Sequence, residues 1–194
     1  MSIIGSNILA GASGQVGGGY TIENSLRFRS SASAYLNRTP ATASNRKTWT
    51  WSGWVKRGNL GERILFVADN GTLQTLIRIR SDDTLQVARW NGTGYSFDLR
   101  TTAVLRDVSA WYNICVALDT TEATSSDRVK LYINGVQETS LAQSSYPSQN
   151  FDTEVNDNGA IAQVSGGGTP GNSFDGSMSH VHLIDGTAYD ASAF

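Results

Sequence analysis

The stretch FDGSMSHVHLIDGTAYD, residues 174–190, holds both histidines of the chain, His180 and His182, between Asp175 and Asp185. Read as an extended strand, it places Met178, His180, His182 and Ile184 on one face and Ser179, Val181 and Leu183 on the other. Histidines at i and i+2 can share a metal, but a site needs a third and a fourth ligand. The two aspartates stand at the ends of the segment, too far along an extended chain to join both rings. A polar closing strand is therefore expected, with no metal site.

Glycoside hydrolysis needs two carboxylates about 5–10 Å apart. The glutamates are Glu23, Glu62, Glu122, Glu138 and Glu154, and none is expected to share a strand with a partner carboxylate at that spacing. No Gly-x-Ser-x-Gly motif is present, and Cys115 lies inside an apolar run. No catalytic residue and no cofactor are expected. Calcium is kept as a subordinate option at three oxygen-rich turns, Asp69-Asn70, Asp82-Asp83 and Asp157-Asn158. Such turns also use Asp and Asn for backbone reasons alone. A glycan site needs an aromatic plate beside hydrogen-bonding groups, and RWNGTGYSFD offers Trp90, Asn91 and Tyr95. The competing reading has Trp90 packed on a sheet edge with Tyr95 covering it.

The elements that would carry these residues are strands. TWTWSGWVKR sets Trp49, Trp51, Gly53 and Val55 on one side and Trp54 on the other. In SLRFRS, Leu26 and Phe28 alternate with Arg27 and Arg29; in LQTLIRIR, Ile77 and Ile79 alternate with Arg78 and Arg80. VKLYINGVQ alternates Val129, Leu131 and Ile133 with Lys130 and Tyr132, then turns at Asn134-Gly135. Period-two patterning at short spacing, broken by Asn-Gly and Asp-Gly, predicts an all-β protein built as a sandwich or barrel. Only TTAVLRDVSAW could hold a helical turn or two.

At 194 residues the chain suits one well-buried domain, expected over residues 23–194. Residues 1–22 carry no charge and predict an N-terminal arm, with Ile3, Ile4, Ile8, Leu9 and Val16 as partner-docking side chains. An unpartnered apolar tail would invite aggregation. The net charge of −2 makes no case for nucleic acid or an anionic membrane. No apolar run is long enough for a spanning helix, and the start lacks the basic region of a signal peptide, so folding in a cytoplasm is expected. A single cysteine excludes an internal disulfide.

Four segments in order, TWTWSGWVK, WYNICVALDTT, DRVKLYINGVQ and FDGSMSHVHLIDG, resemble the laminin-G-like, concanavalin-A-like jelly rolls over about residues 25–190. The resemblance implies a two-sheet antiparallel jelly-roll sandwich. The fuller stretches RKTWTWSGWVKRGNLG and DTTEATSSDRVKLYINGVQ, with the uncharged leader, are similar to such domains in virion proteins of tailed bacteriophages. That resemblance implies a non-enzymatic capsid decoration or tail protein, assembled in the host cytoplasm and displayed on the virion surface. Its partners would be the major capsid protein or tail proteins and further copies of itself, a trimer being expected. The alternative is an adsorption module that binds a bacterial surface glycan through Trp90, Asn91 and Tyr95.

Overall fold

A computed structural model describes residues 22–166 and 172–194. Its strands run, in chain order, β1 Leu26–Phe28, β2 Leu36–Arg38, β3 Thr48–Arg57, β4 Arg63–Asp69, β5 Gln74–Ile79, β6 Thr84–Trp90 and β7 Tyr95–Val104. They continue with β8 Tyr112–Asp119, β9 Val129–Ile133, β10 Val136–Gln137, β11 Leu141–Ser145, β12 Ile161–Val164 and β13 Gly176–Asp185. Two antiparallel sheets result, one in the order β1-β13-β3-β8-β9-β10 and the other in the order β11-β7-β6-β5-β4-β12-β2. This is the expected jelly-roll sandwich.

The alternation of the sequence becomes the inside and outside of the sandwich. Trp49, Trp51 and Val55 of β3 point inward against Phe66, Ile77, Val87, Phe97 and Leu99 of the other sheet. Burying each of the two tryptophans contributes about 4–6 kcal/mol before conformational entropy, an upper bound because unfolded chains are already partly collapsed. Trp49 Nε1 donates to Thr153 Oγ1 at 3.0 Å, tying the core to the segment that closes one end. Val129, Leu131 and Ile133 face the same core, and Asn134 and Gly135 take the positive φ their two-residue turn needs, 52° and 82°.

Arg57, at the end of β3, has a fully buried side chain that links the sheets. Nη1 donates to Asp83 Oδ1 at 2.8 Å and to the Leu105 carbonyl at 2.6 Å, and Nη2 donates to the Gly61 carbonyl at 2.9 Å. Burial alone would raise the Asp83 carboxyl; the hydrogen bond and charge of Arg57, aided by Arg106, outweigh it and hold the group below the usual carboxylate range.

Two expectations are corrected. The stretch TTAVLRDVSAW is not helical: Thr101–Val104 completes β7, pairing Thr101 with Leu141 and Val104 with Thr84. Cross-strand partners and β-branched threonines outweigh a weak helical pattern there. The second correction concerns β13, which does not alternate evenly. Ser179 pairs with Trp54 and His182 with Ser52, so one extra residue enters between them, and His180 adopts a left-handed backbone with φ 47°. This bulge reverses the faces beyond it. Met178, Val181 and Leu183 pack on the core, while His180 and His182 are exposed. Gly53 makes room for the bulge, since a Cβ there would lie 3.3 Å from Val181 Cγ2 and 3.2 Å from the Trp51 ring.

Candidate functional site

The outer face of the seven-stranded sheet carries a connected side-chain network that is not core. Leu76 and Ala88 form its buried apolar floor with Ile64 and Val67. Arg78 on β5, Gln86 on β6 and Arg100 on β7 stand opposite one another in register. Arg78 donates through Nε to Gln86 Oε1 at 2.6 Å, through Nη1 to Glu62 Oε1 at 3.0 Å and through Nη2 to the Tyr95 hydroxyl at 2.6 Å. Gln86 Nε2 donates to Asp98, whose other oxygen accepts from Arg100 Nη2 at 2.8 Å. That bond keeps the Arg100 guanidinium firmly protonated against the desolvation that opposes it. Asn172 Nδ2 donates to Glu62 Oε1 at 2.9 Å and closes the ladder at the other side.

Tyr95 stands at the rim of this ladder. Its ring meets that of Trp90 edge-on, with centroids 5.3 Å apart, and the Arg78 guanidinium lies 5.9 Å from its centroid. Three contacts thus orient a ring that remains 38% exposed. Trp90 is half-buried behind it, on a strand flanked by β5 and β7 and not at a sheet edge. Of the residues singled out as a glycan site, the structure brings Trp90 and Tyr95 together. Asn91 is exposed beside them, but its side-chain oxygen accepts from Thr93 N, Gly94 N and Thr93 Oγ1, so it builds the turn. Sequence reading missed Arg78, Gln86, Asp98, Arg100 and Glu62. The alternating arginines of LIRIR signal one exposed row, but nothing local says which strands lie beside it.

The other candidates separate. Ile3, Ile4, Ile8, Leu9 and Val16 lie outside the described residues. At the calcium candidates, Asp69 Oδ1 accepts from Gly71 N and Asn70 Oδ1 from Leu73 N, Asp82 accepts from Thr84, and Asp83 holds Arg57 and Arg106. Asp157 accepts from Gly159 N and faces Arg46 at 3.4 Å. Among the described residues no three His, Cys, Asp or Glu side chains gather as a metal would require. His182 packs beside Phe194 with ring centroids 5.7 Å apart, and His180 Nδ1 lies 2.7 Å from Ser179 Oγ. Cys115 is buried below the carboxyl-terminal segment, and burial, with the Asp190 charge second, pushes its thiol up to about 12.

Comparison with solved structures finds the same architecture in a sialidase module, a pair of laminin domains and an arabinanase domain. A Ruminococcus gnavus sialidase CBM40 bound to α2,3-sialyllactose superposes with a TM-score of 0.56 at 15% identity, covering 81% of this chain and 95% of that one. Domains LG4-5 of the mouse laminin α1 chain give 0.61 at 14% identity over 91% and 45%. Domain 4 of a Geobacillus stearothermophilus GH43 arabinanase, in complex with arabinotriose, gives 0.53 at 18% identity over 75% and 64%. At such identities the likeness is one of fold. No curated protein matches the sequence. The family model of the concanavalin A-like lectin/glucanases superfamily, of laminin-G type, matches residues 29–191 and so spans nearly all of both sheets. The chain belongs to that superfamily.

Proposed function

We propose that this chain is a non-catalytic carbohydrate-binding module that takes a bacterial surface glycan on the outer face of its seven-stranded sheet. The observation that carries the reading is the exposed Tyr95 ring, held by Trp90 and Arg78 beside a ladder of donors and acceptors. An apolar plate next to fixed polar groups matches a sugar, whose ring faces are apolar and whose edges carry hydroxyls. The sugar-bound states of two structurally similar modules support the choice of ligand. Each ladder carboxylate is engaged by an arginine or an amide, which suits positioning better than acid–base work. A glycan array and adsorption to bacterial cells test the reading. Wild-type protein should bind, and Tyr95→Ala should bind at least tenfold more weakly with an unchanged circular dichroism spectrum. No signal from wild type in either assay would overturn it.

A second reading, compatible with the first, sets the module on the surface of a tailed-phage particle as a capsid decoration or tail protein. What favours it is the similarity of RKTWTWSGWVKRGNLG and of the uncharged leader to virion proteins. Residues 1–22 would fasten it to a capsid or tail partner, in symmetric copies such as a trimer. Repetition on the particle would then turn weak single-site sugar contacts into firm adsorption. Immunogold labelling of intact particles tests this, and unlabelled particles would end it.

A further inference from the structure

One end of the sandwich is open. Between the terminal strands of the two sheets, β1 on one and β2 on the other, runs a groove of about 670 Å³. Leu26, Phe28, Leu36, Val164, Met178 and Val181 supply its apolar wall. Leu26 and Leu36 are 49% and 54% exposed at its mouth, unusual for leucines that face each other across a cleft. β1 and β2 are three residues each, and the outer edge of each has no strand partner among the described residues. An apolar cleft flanked by two unpaired edges is a liability that proteins normally cover.

We infer that this groove is the seat of the chain's own uncharged N-terminal segment, whose Ile3, Ile4, Ile8 and Leu9 would fill it. Glu23, Asn24 and Ser25 already line the groove, and Ser179 Oγ donates to the Asn24 carbonyl, so the described chain begins at its rim. Gly17, Gly18 and Gly19 stand just before, with the backbone freedom a reversal of direction needs. The five residues 17–21 can reach about 17 Å, enough to bring the preceding residues alongside β1. Character also matches. The segment carries no charge, and the wall offers one carboxylate, Glu23. A tethered segment meets its own groove at an effective concentration of about a millimolar, which another copy in dilute solution cannot equal. Seated there, its isoleucines are withheld from aggregation, and any capsid or tail partner must compete with the groove for them.

Methyl nuclear magnetic resonance on the full chain tests this. In one sample every chain carries labelled Ile, Leu and Val methyls; in a second, chains labelled only at Ile are mixed with chains labelled only at Leu and Val. Contacts from Ile3, Ile4 or Ile8 to Leu26, Leu36 or Val181 are expected in the first sample and not in the second. Leu36→Asp, a change at a half-exposed position, should weaken them at least threefold. Contacts that persist in the mixed sample would assign the groove to a second copy. Contacts missing from both samples, or undiminished in Leu36→Asp, would show that the segment does not sit there. Each of these results overturns the inference.

Discussion

The two sheets present opposite solutions on their outer faces. On the six-stranded sheet the chain covers itself: Thr50 Oγ1 donates to the Thr187 carbonyl and accepts from Tyr189 N, and Ala191 packs on Cys115, Ala117 and Tyr132. On the seven-stranded sheet the corresponding surface ends in guanidinium, amide and carboxylate groups with an exposed tyrosine at their rim. Both faces are built by the same alternation of residues. What separates them is whether a later segment returns to cover the strand, and the face left uncovered is the one on which glycan binding is proposed.

Arg57→Met removes the buried bridge, leaves Asp83 with Arg106 alone and strands two carbonyl oxygens. A loss of about 3–5 kcal/mol in urea unfolding is expected, with both outer faces lost in one transition. Ala191→Asp should act on the covered face alone. A charge set against Cys115 and Tyr132 costs about 1–3 kcal/mol and lifts the carboxyl-terminal segment. Cys115, buried in the native protein and expected to resist thiol reagents at pH 8, should then be modified at a measurable rate. Tyr95→Ala sharpens the contrast from the other side. Glycan affinity should fall at least tenfold, about 1.4 kcal/mol, with stability lowered by about 1 kcal/mol through the lost Trp90 and Arg78 contacts.

The smallest effect is one of pH. The folded-state depression of Asp83 contributes stability that is fully present above the ordinary aspartate value of about 3.9 and is lost as pH falls through the lower folded value. Melting temperature should therefore begin to drop below about pH 4. In Asp83→Asn that part of the acid sensitivity should disappear.

Local pattern made some elements legible. The hairpin of β9 and β10 could be read because alternation and an Asn-Gly turn lie within nine residues, and the tryptophans of β3 because their spacing is the strand period itself. β13 was misread beyond Ser179, because the bulge depends on Gly53 and Trp51, more than a hundred residues earlier in the chain. That Trp90 and Tyr95 stand side by side was legible because they flank one turn. Arg78, Gln86 and Arg100 were not, since their meeting requires three strands in a particular order.

From sequence alone come the strand character, the tight turns, the apolar inward rows and the chargeless leader, all consequences of neighbours a few bonds apart. Tertiary structure alone settled which polar rows meet, where the extra residue of β13 is absorbed and which sheet the carboxyl terminus covers. The physical reason is range. Steric and patterning preferences act within a turn or a strand, whereas a side-chain network and a covered face exist only after distant strands have been placed side by side.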